Sequence, residues 1–355
     1  MLSLIGGVWL VAGQTLHNNI FLPLVVKPEP PPEPLVEFRG LWVTRFDWTE
    51  WDGAHPAKID EIVQNAAEAG VNVFFQIRGE ADAYYASDLE PWSKRISGYY
   101  GTLGQSPSSE WAGLGDPLSY MITKAHEAGL QVHAYVNVYP VAYCDTIPDA
   151  AVSPLPLYHQ LIAEHGVTME GEAVMVNGLQ WTWDGLIYCG SDSYTWATPA
   201  STFHEDHVLA VLNDVVTRYD MDGLHLDRVR YAQSYVSCDP VSLAEAGDCF
   251  GTAPAGYASY EDWQRAQVDG LVARVYQLVQ TTKPELWLSA AVWPVHTIKP
   301  EWGWQEIYVE GYNTYYQDSK GWLADGIIDS ISPMIYPSNP DVCPDDNLYW
   351  TQDRW

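Results

Sequence analysis

The stretch Asp222-Gly-Leu-His-Leu-Asp-Arg-Val-Arg-Tyr231 is the most informative in the sequence, because it combines an apolar strand with a polar tip. Alternate side chains of a strand share a face, so His225 and Asp227 lie on one side and the two leucines on the other. The leucines can then pack beneath helices while His225 and Asp227 face the axis of a barrel. A barrel enzyme presents a catalytic carboxylate in this way. The alternative is a strand end at which Asp227 caps a loop or pairs with Arg228 or Arg230.

Similar apolar runs alternate with helical patterns along the chain, which predicts an α/β fold of the TIM-type (β/α)8 barrel. The predicted strands cover 38–45, 71–78, 131–139, 222–231, 286–293 and 327–336. The predicted helices cover 56–69, 118–128, 201–219, 260–282 and 313–323. A closed barrel of this class needs eight strands, whereas six are counted here and only about twenty residues follow. The sequence therefore predicts a chain cut short before strands seven and eight, or a barrel that closes irregularly.

The first 34 residues differ in composition from the rest of the chain. Residues 1–12 are apolar, as in the core of a secretory signal, although no Lys or Arg precedes them. A buried first strand is the alternative, and the segment is too short to span a bilayer comfortably. The run KPEPPPEP at 27–34 indicates a stiff linker. We expect a leader and linker at 1–34 and a barrel domain at 35–355, with an insertion at about 140–200. The protein is then secreted or attached to the cell envelope, with a possible N-terminal anchor.

The five cysteines show no CxxC spacing that would suggest zinc, so disulfides are the better interpretation. Pairing of Cys238 with Cys249 would staple the loop that follows the Asp227 strand. Pairing of Cys144 with Cys189 would clamp the insertion, although spacing alone leaves the connectivity open. Cys343 stays unpaired in this scheme, and all five are free thiols if the protein is not exported.

Charge and composition limit the classes of partner. Forty-six acidic residues against seventeen basic ones give a net charge of -29, which repels nucleic acid and anionic membrane surfaces. The 17 Trp and 23 Tyr supply rings that stack on sugar faces as readily as they fill cores. We expect no cofactor and no metal, since neither EF-hand spacing nor an adjacent His/Asp ligand cluster is present. A metal-dependent deacetylase or hydrolase is therefore the weakest interpretation.

The ends of the predicted strands carry the chemistry that a glycoside site needs, namely two carboxyl groups, hydroxyl partners and stacking surfaces. The predicted catalytic residues are Asp227, Glu80 and Asp82. The predicted substrate-binding residues are Arg78, His133, Asn137, His225, Arg230, Trp293 and Tyr336. Glu301 and Glu306 are reserve acids.

Each of these candidates also has a structural interpretation. His133 and His225 are equally typical of hydrogen-bonded residues on a barrel floor. Arg78 can serve as a counter-ion for Asp82 or Asp227, and Glu80 and Asp82 can be solvated loop charges.

Five motifs in order resemble glycosyl-hydrolase-like family 10. They are FRGLWVTR at 38–45, NVFFQIRGEADAYYASDLEPWS at 72–93, DPLSYMITKAHEAGLQVHAYVN at 116–137, DGLHLDRVRY at 222–231 and IDSISPMIY at 328–336. The resemblance covers most of 36–337. It implies a TIM-barrel catalytic domain of a bacterial envelope or secreted protein, and one member of that family acts on peptide-free glycan strands of peptidoglycan.

The chain departs from the family pattern at the tip of the fourth strand. The family typically carries two consecutive carboxylates there, whereas Asp227 is followed by Arg228. Alternation places Asp227 inward and Arg228 outward, which favours Asp227 as the essential group. If the second carboxylate is the family's catalyst, this protein is inactive. The family also continues into strands seven and eight.

The leading hypothesis is a secreted glycoside hydrolase that cleaves a polysaccharide by a two-carboxylate mechanism. Asp227 is the nucleophile or base, and Glu80, before Asp82, is the proton donor. Retention and inversion remain open, because they depend on the separation of the carboxyl groups. The alternative is a non-catalytic carbohydrate-binding surface protein with a degenerate barrel, suggested by Arg228, the aromatic richness and the missing strands.

Overall fold

A computed structural model describes residues 37–50, 52–98, 101–190, 192–249, 252–302 and 309–335. The predicted leader and linker lie outside the described residues, as do Cys343, Tyr336 and Glu306. Among the described helices, none combines the length and apolar character needed to cross a membrane.

A parallel sheet of six strands forms the centre of the described chain, and its strands are neighbours in sequence order. They are β1 Gly40–Val43, β2 Asn72–Arg78, β3 Val132–Asn137, β4 Gly223–Asp227, β5 Trp287–Val292 and β6 Ser330–Pro333. The sheet is curled, because Trp42 on β1 donates a hydrogen bond from Nε1 to Nε2 of His225 on β4 across 3.0 Å. These two strands are not neighbours, so their side chains meet only on the concave face. The predicted TIM-type α/β fold is confirmed as a curled half-barrel.

Helices follow the strands where the sequence predicts them, although one predicted helix is split and three of the described helices were not predicted. The α-helices are α1 Arg45–Trp48, α2 Pro56–Ala69, α3 Pro117–Glu127, α4 Leu157–His165, α5 Thr202–Arg218, α6 Pro240–Ala246, α7 Tyr260–Thr282, α8 Gly311–Thr314 and α9 Ser319–Asp325, and 3-10 turns cover Ser109–Trp111 and Pro300–Trp302. The predicted helix at 313–323 is split into α8 and α9, because Tyr316 adopts a left-handed φ of 51° that no α-helix accommodates. Helix α6 was not predicted, although Asp239 caps it and Pro240 begins it.

The insertion after β3 folds back over the carboxyl end of the sheet. Strand Pro140–Tyr143 pairs antiparallel with Tyr194–Trp196, and Val167–Glu170 pairs with Ala173–Val176. A further short pair, Thr49–Glu50 with Gly53–Ala54, follows α1. Both expected disulfides are present, Cys144–Cys189 in the insertion and Cys238–Cys249 in the loop beyond β4.

One face of β4 is apolar and packs against helices, and the other carries polar side chains, as the sequence predicts. Leu224 and Leu226 are fully buried in the same apolar cluster as the helix residues Val215 and Val272. The opposite face meets aromatic rings, and the ring of His225 lies 4.7 Å from that of Phe74. The convex face of the sheet therefore carries the hydrophobic core, and the concave face carries the polar strand tips.

Gly223 allows the concave face to pack tightly at the start of β4. A methyl group added there would lie 1.9 Å from Nδ1 of the buried His133. Because the ring has little room to move between strands, we expect Gly223→Ala to lower the free energy of unfolding by about 1–3 kcal/mol, measured by urea unfolding. Gly270 on α7 is the control, since a methyl group there meets no atom within 4 Å. Gly270→Ala should raise the stability by about 0.5–1 kcal/mol, and equal effects of the two changes would contradict this packing.

Candidate active site

Asp227 ends β4 at the carboxyl edge of the sheet and is partly exposed. Its Oδ2 accepts a hydrogen bond from the Tyr135 hydroxyl at 2.8 Å, and its Oδ1 accepts one from the backbone N–H of Arg228 at 2.7 Å. Burial, and then the negative charge of Asp227, raises the pKa of Tyr135 well above its ordinary value, so Tyr135 remains a donor. These two donors hold the carboxylate of Asp227 in one orientation.

Asp82 shapes the loop that follows β2. Its Oδ1 accepts hydrogen bonds from the backbone N–H groups of Gly79 at 3.2 Å and Glu80 at 3.0 Å. Ala81, between Glu80 and Asp82, has a left-handed φ of 55°, a conformation that a residue other than glycine adopts only when its surroundings hold it. The buried Asp82 therefore fixes the turn that presents Glu80.

Glu80 is a buried carboxyl group whose protonated form is favoured. Burial raises its pKa to about 8, repulsion from Asp82 adds to the effect, and attraction to Arg45 opposes it. The Arg45 guanidinium lies 3.2 Å from Glu80 Oε2, yet the desolvation of the carboxylate outweighs this contact. Glu80 is therefore largely protonated near neutral pH, the state that a general acid requires.

Glu80 and Asp82 line a cavity of about 240 Å³ between the β2 loop and the insertion. The other lining residues are Lys94, Gly101, Thr102, Leu103, Val141, Ala142, Tyr143, Thr146, Ile147, Pro148, Asp149 and Val152. This volume suits one or two sugar-sized groups, and the lining combines apolar side chains with a few polar groups, as ligand sites do.

A chain of contacts connects Glu80 with Asp227, which is not among the residues that line the cavity. Arg45 contacts Glu80 and donates hydrogen bonds to the hydroxyls of Tyr194 and, at 3.3 Å, Tyr143. The Arg228 guanidinium lies 5.0 Å from the ring centre of Tyr194. The insertion therefore bridges the two carboxyl groups.

Arg228 does not continue the alternation of β4. Its left-handed φ of 51° takes the chain out of the extended conformation directly after Asp227. The side chain forms an ion pair with Asp192 at 2.5 Å and lies over the rings of Tyr194 and Trp196. Arg228 thus packs against the insertion at the mouth of the half-barrel, instead of simply facing outward as alternation predicts.

Arg230 and Trp293, two predicted substrate contacts, lie together at the mouth. The Arg230 guanidinium lies 5.7 Å from the ring centre of Trp293, 4.5 Å from that of Tyr315 and 5.0 Å from that of Trp196. Trp293 and Tyr315 stack with 4.4 Å between centroids. Sequence reasoning missed Trp196, Tyr194 and Tyr315, because they come from the insertion and from the break between α8 and α9.

Arg78 lies below the site and bonds to protein atoms. Its Nη2 is 2.7 Å from Glu90 Oε1, and Glu90 also lies 3.0 Å from Nε2 of His207. The side chain is 1% exposed, and Nη1 donates to the carbonyl oxygen of Val138 at 3.1 Å. The counter-ion of Arg78 is therefore Glu90 rather than Asp82 or Asp227, and its position favours a structural role over a sugar contact.

His225, His133 and Asn137 form a floor beneath the strand tips. Since His225 Nε2 accepts from Trp42, its Nδ1 carries the proton and donates to the Ser289 hydroxyl at 2.8 Å. Burial lowers the pKa of both histidines to about 4, so both rings are neutral. His133 differs from the expected hydrogen-bonded floor residue, since neither of its ring nitrogens has a partner among the described residues.

Asn137 connects this floor to the β2 loop, because its Nδ2 donates to the carbonyl oxygen of Gly79 at 3.0 Å. Its Oδ1 has no partner in the described part of the chain. Among the residues that the structure describes, no group of three or more His, Cys, Asp or Glu side chains is arranged to hold a metal ion.

Residues 37–345 match the family model described as Glycosyl hydrolase-like 10. The chain is 27% identical over 316 residues to the glycosyl hydrolase DigH of Escherichia coli (strain K12), a match that covers 84% of this chain and 65% of that protein. It is 24% identical over 311 residues to the glycosyl hydrolase YngK of Bacillus subtilis (strain 168), covering 84% of this chain and 54% of that protein. The chain thus spans less than two thirds of the length of these relatives.

Among solved structures, the glycoside hydrolase domain of PgaB (BpsB) from Bordetella bronchiseptica aligns with a TM-score of 0.49 and 11% identity, over 84% of this chain and 74% of that one. The alpha-L-fucosidase isoenzyme 2 from Paenibacillus thiaminolyticus aligns with a TM-score of 0.48 and 15% identity, over 74% of this chain and 33% of that one.

Proposed function

Because the chain belongs to the glycosyl hydrolase-like 10 family, we propose that it is a glycoside hydrolase that cleaves a polysaccharide with two carboxyl groups, Glu80 and Asp227. Glu80 is the proton donor to the glycosidic oxygen. Asp227 is the nucleophile, or the base that activates water.

The observation that carries this proposal is the position of Glu80 on the wall of the cavity, where burial favours its protonated form. A pKa of about 8, set mainly by burial, keeps this carboxyl group neutral in the range where most enzymes work. Asp227 instead accepts a hydrogen bond on each oxygen, and these two bonds fix the orientation of its carboxyl group. Two carboxyl groups in contrasting environments are what acid-and-nucleophile catalysis requires.

The remaining predicted residues fall into two groups, those that contact the sugar and those that support the catalytic residues. Arg230 and Trp293 are placed to contact sugar at the mouth, and Asp82 positions Glu80. Arg78, His133, His225 and Asn137 support the strand tips from below.

We also retain export as part of the proposal. Two disulfides among the described residues suit an oxidising compartment, because cytosolic thiols are normally kept reduced. In this proposal residues 1–34 are a leader and linker, and the catalytic domain begins at residue 35.

Arg228 favours a second candidate function, since it occupies a position where the family typically has a carboxylate. A protein without the second acid could bind a glycan at the aromatic mouth and leave it intact. This candidate predicts retention of a polysaccharide without new reducing ends.

A product assay separates the two functions. The purified chain is incubated with peptide-free peptidoglycan glycan, β-glucans and α-glucans, and new reducing ends are measured beside a heat-denatured control. We expect cleavage of at least one polymer by the native protein alone. Retention of a polymer in affinity electrophoresis without cleavage would favour the binding protein, and the absence of both would contradict both functions.

A further inference from the structure

Arg230 is the unusual cation of this site. Its guanidinium is partly exposed at the mouth and lies within 6 Å of three aromatic ring centres, those of Trp196, Trp293 and Tyr315. One of its N–H groups donates to the carbonyl oxygen of Tyr231 at 3.1 Å. Stacked rings hold a guanidinium plane in place and leave its edge free to donate.

The guanidinium of Arg230 forms no ion pair within the described residues. None of the ion pairs found there involves its guanidinium, in a chain with 46 acidic and 17 basic residues. Burial among the rings, and then the nearby charge of Arg228, lowers its pKa, whereas Asp227 and Asp192 act on it in the opposite sense. An enclosed cation without an ion-pair partner is costly unless a ligand supplies the counter-charge.

The neighbouring Arg228 differs from Arg230 in having an ion-pair partner. The Arg228 guanidinium also lies over aromatic rings, those of Tyr194 and Trp196, but it forms an ion pair with Asp192 at 2.5 Å. Asp192 thus neutralises Arg228 and leaves Arg230 as the cation that faces an incoming glycan. Arg230 lies three residues after Asp227, beyond the end of β4, and the charge of Asp227 acts on it, so a ligand bound by Arg230 lies close to that carboxylate.

We propose that Arg230 binds the carboxylate of an acidic sugar next to Asp227, so that this glycoside hydrolase selects carboxylate-bearing glycans. The inference rests on the proposed function and adds the substrate class. A planar guanidinium with free edge N–H groups matches a carboxylate in bidentate geometry, and the rings beside it can stack on the sugar that carries the carboxylate. The negative charge of the whole chain opposes an acidic polymer at long range, but at physiological salt this repulsion fades beyond about 8 Å.

The test compares each acidic probe with its own neutral form. Oligogalacturonate, hyaluronan oligosaccharides and peptide-free peptidoglycan glycan are each used beside their carboxyl-reduced counterparts, with dextran sulfate beside dextran. Binding is measured by calorimetry at physiological salt, and reducing ends are measured in the same samples. The proteins are the full chain, Arg230→Gln, Arg230→Lys and Arg274→Gln.

Arg274→Gln is the matched control, because it removes the same charge from α7, where Arg274 pairs with Glu205 and Asp206. Arg230→Lys keeps the charge but loses the planar fork, so it remains informative if Arg230→Gln unfolds. We expect the full chain to bind at least one acidic probe about 10- to 100-fold more tightly than its reduced form. Arg230→Gln should abolish this ratio, Arg230→Lys should reduce it, and Arg274→Gln should preserve it.

Equal binding of acidic and reduced forms by the full chain, or an unchanged ratio in Arg230→Gln, overturns the inference. If the full chain prefers dextran sulfate over dextran as strongly as it prefers an acidic probe over its reduced form, and both preferences depend on Arg230, the specificity for carboxylate is overturned. Equal cleavage of the acidic and carboxyl-reduced forms overturns the role of Arg230 but agrees with the proposed glycoside hydrolase activity. An acidic probe that is selected through Arg230 but never cut overturns the proposed hydrolysis instead.

Discussion

Replacing Asp227 with asparagine is expected to lower kcat on the cleaved polysaccharide by about 10³-fold or more, because the amide can neither attack the sugar nor accept a proton from water. The fold should persist. The amide oxygen can still accept from the Arg228 N–H, and the Tyr135 hydroxyl can rotate to accept from the amide NH₂ group. Reducing-end assays give kcat, and thermal unfolding shows whether the variant is folded.

Asp222, at the opposite end of β4, provides the matched control. Its Oδ2 accepts from the backbone N–H of Val132 at 2.8 Å and lies 2.9 Å from Nε2 of His126. Asp222→Asn should therefore lower stability and leave kcat nearly unchanged. If Asp227→Asn retained full turnover, or if both variants lost it equally, Asp227 would not be the catalytic carboxylate.

The parts of this fold that the sequence predicts are those set by local chemistry. Helix α2 begins at Pro56 and ends where Gly70 takes a left-handed φ of 65°, and both residues are visible in the sequence. The inward orientation of Asp227 follows from the period of β4 in the same way. Each of these features depends on residues within a few positions of one another.

The features that were missed depend on contacts between distant segments. Arg78 pairs with Glu90 because the loop after β2 folds back beneath the sheet edge, and strand alternation carries no information about that return. Arg228 breaks the period with a left-handed φ, which places it against Tyr194 of the insertion. Neither partner can be identified from spacing along the chain.

The acidity of Glu80 is the clearest example of this limit. In the sequence, Glu80 and Asp82 can each be a catalytic acid or a solvated loop charge, and only a geometric guess puts Glu80 before Asp82. Burial beneath the insertion raises the pKa of Glu80 to about 8, while backbone hydrogen bonds fix Asp82 inside the turn. Desolvation is a property of the assembled site, and it separates the roles of two carboxyl groups that are two residues apart.

Glu80→Gln is expected to reduce turnover of the polysaccharide by about 10²- to 10⁴-fold, because glutamine cannot protonate the leaving oxygen. The loss should be much smaller on an aryl glycoside with an acidic phenol as leaving group, because such a phenolate departs without protonation. A comparison of kcat/KM for the two kinds of substrate measures this difference. Equal losses on both would show that Glu80 is not the proton donor.

The pH dependence supplies an independent readout of the same group. Activity of the unmodified protein on the polysaccharide should fall as the pH rises through about 8, since the proton that Glu80 donates is then lost. Residual activity of Glu80→Gln should lack this decline. Asp269 on α7 is the control, because its pKa is also raised, to about 7, mainly by burial, and it accepts a hydrogen bond from Trp322. Asp269→Asn should keep the decline near pH 8.

Glu80→Gln should change stability in the direction opposite to turnover. Because the pKa of Glu80 is higher in the folded protein than in the unfolded chain, its favourable contribution is complete below the unfolded value of about 4.5 and is lost as the pH rises through about 8. Glutamine resembles the protonated acid at every pH, so Glu80→Gln should gain stability relative to the unmodified protein as the pH rises from about 4.5 to about 8, and the gain should stay constant above that. A variant that gains stability while it loses turnover would show that burial of Glu80 is maintained for catalysis and not for folding.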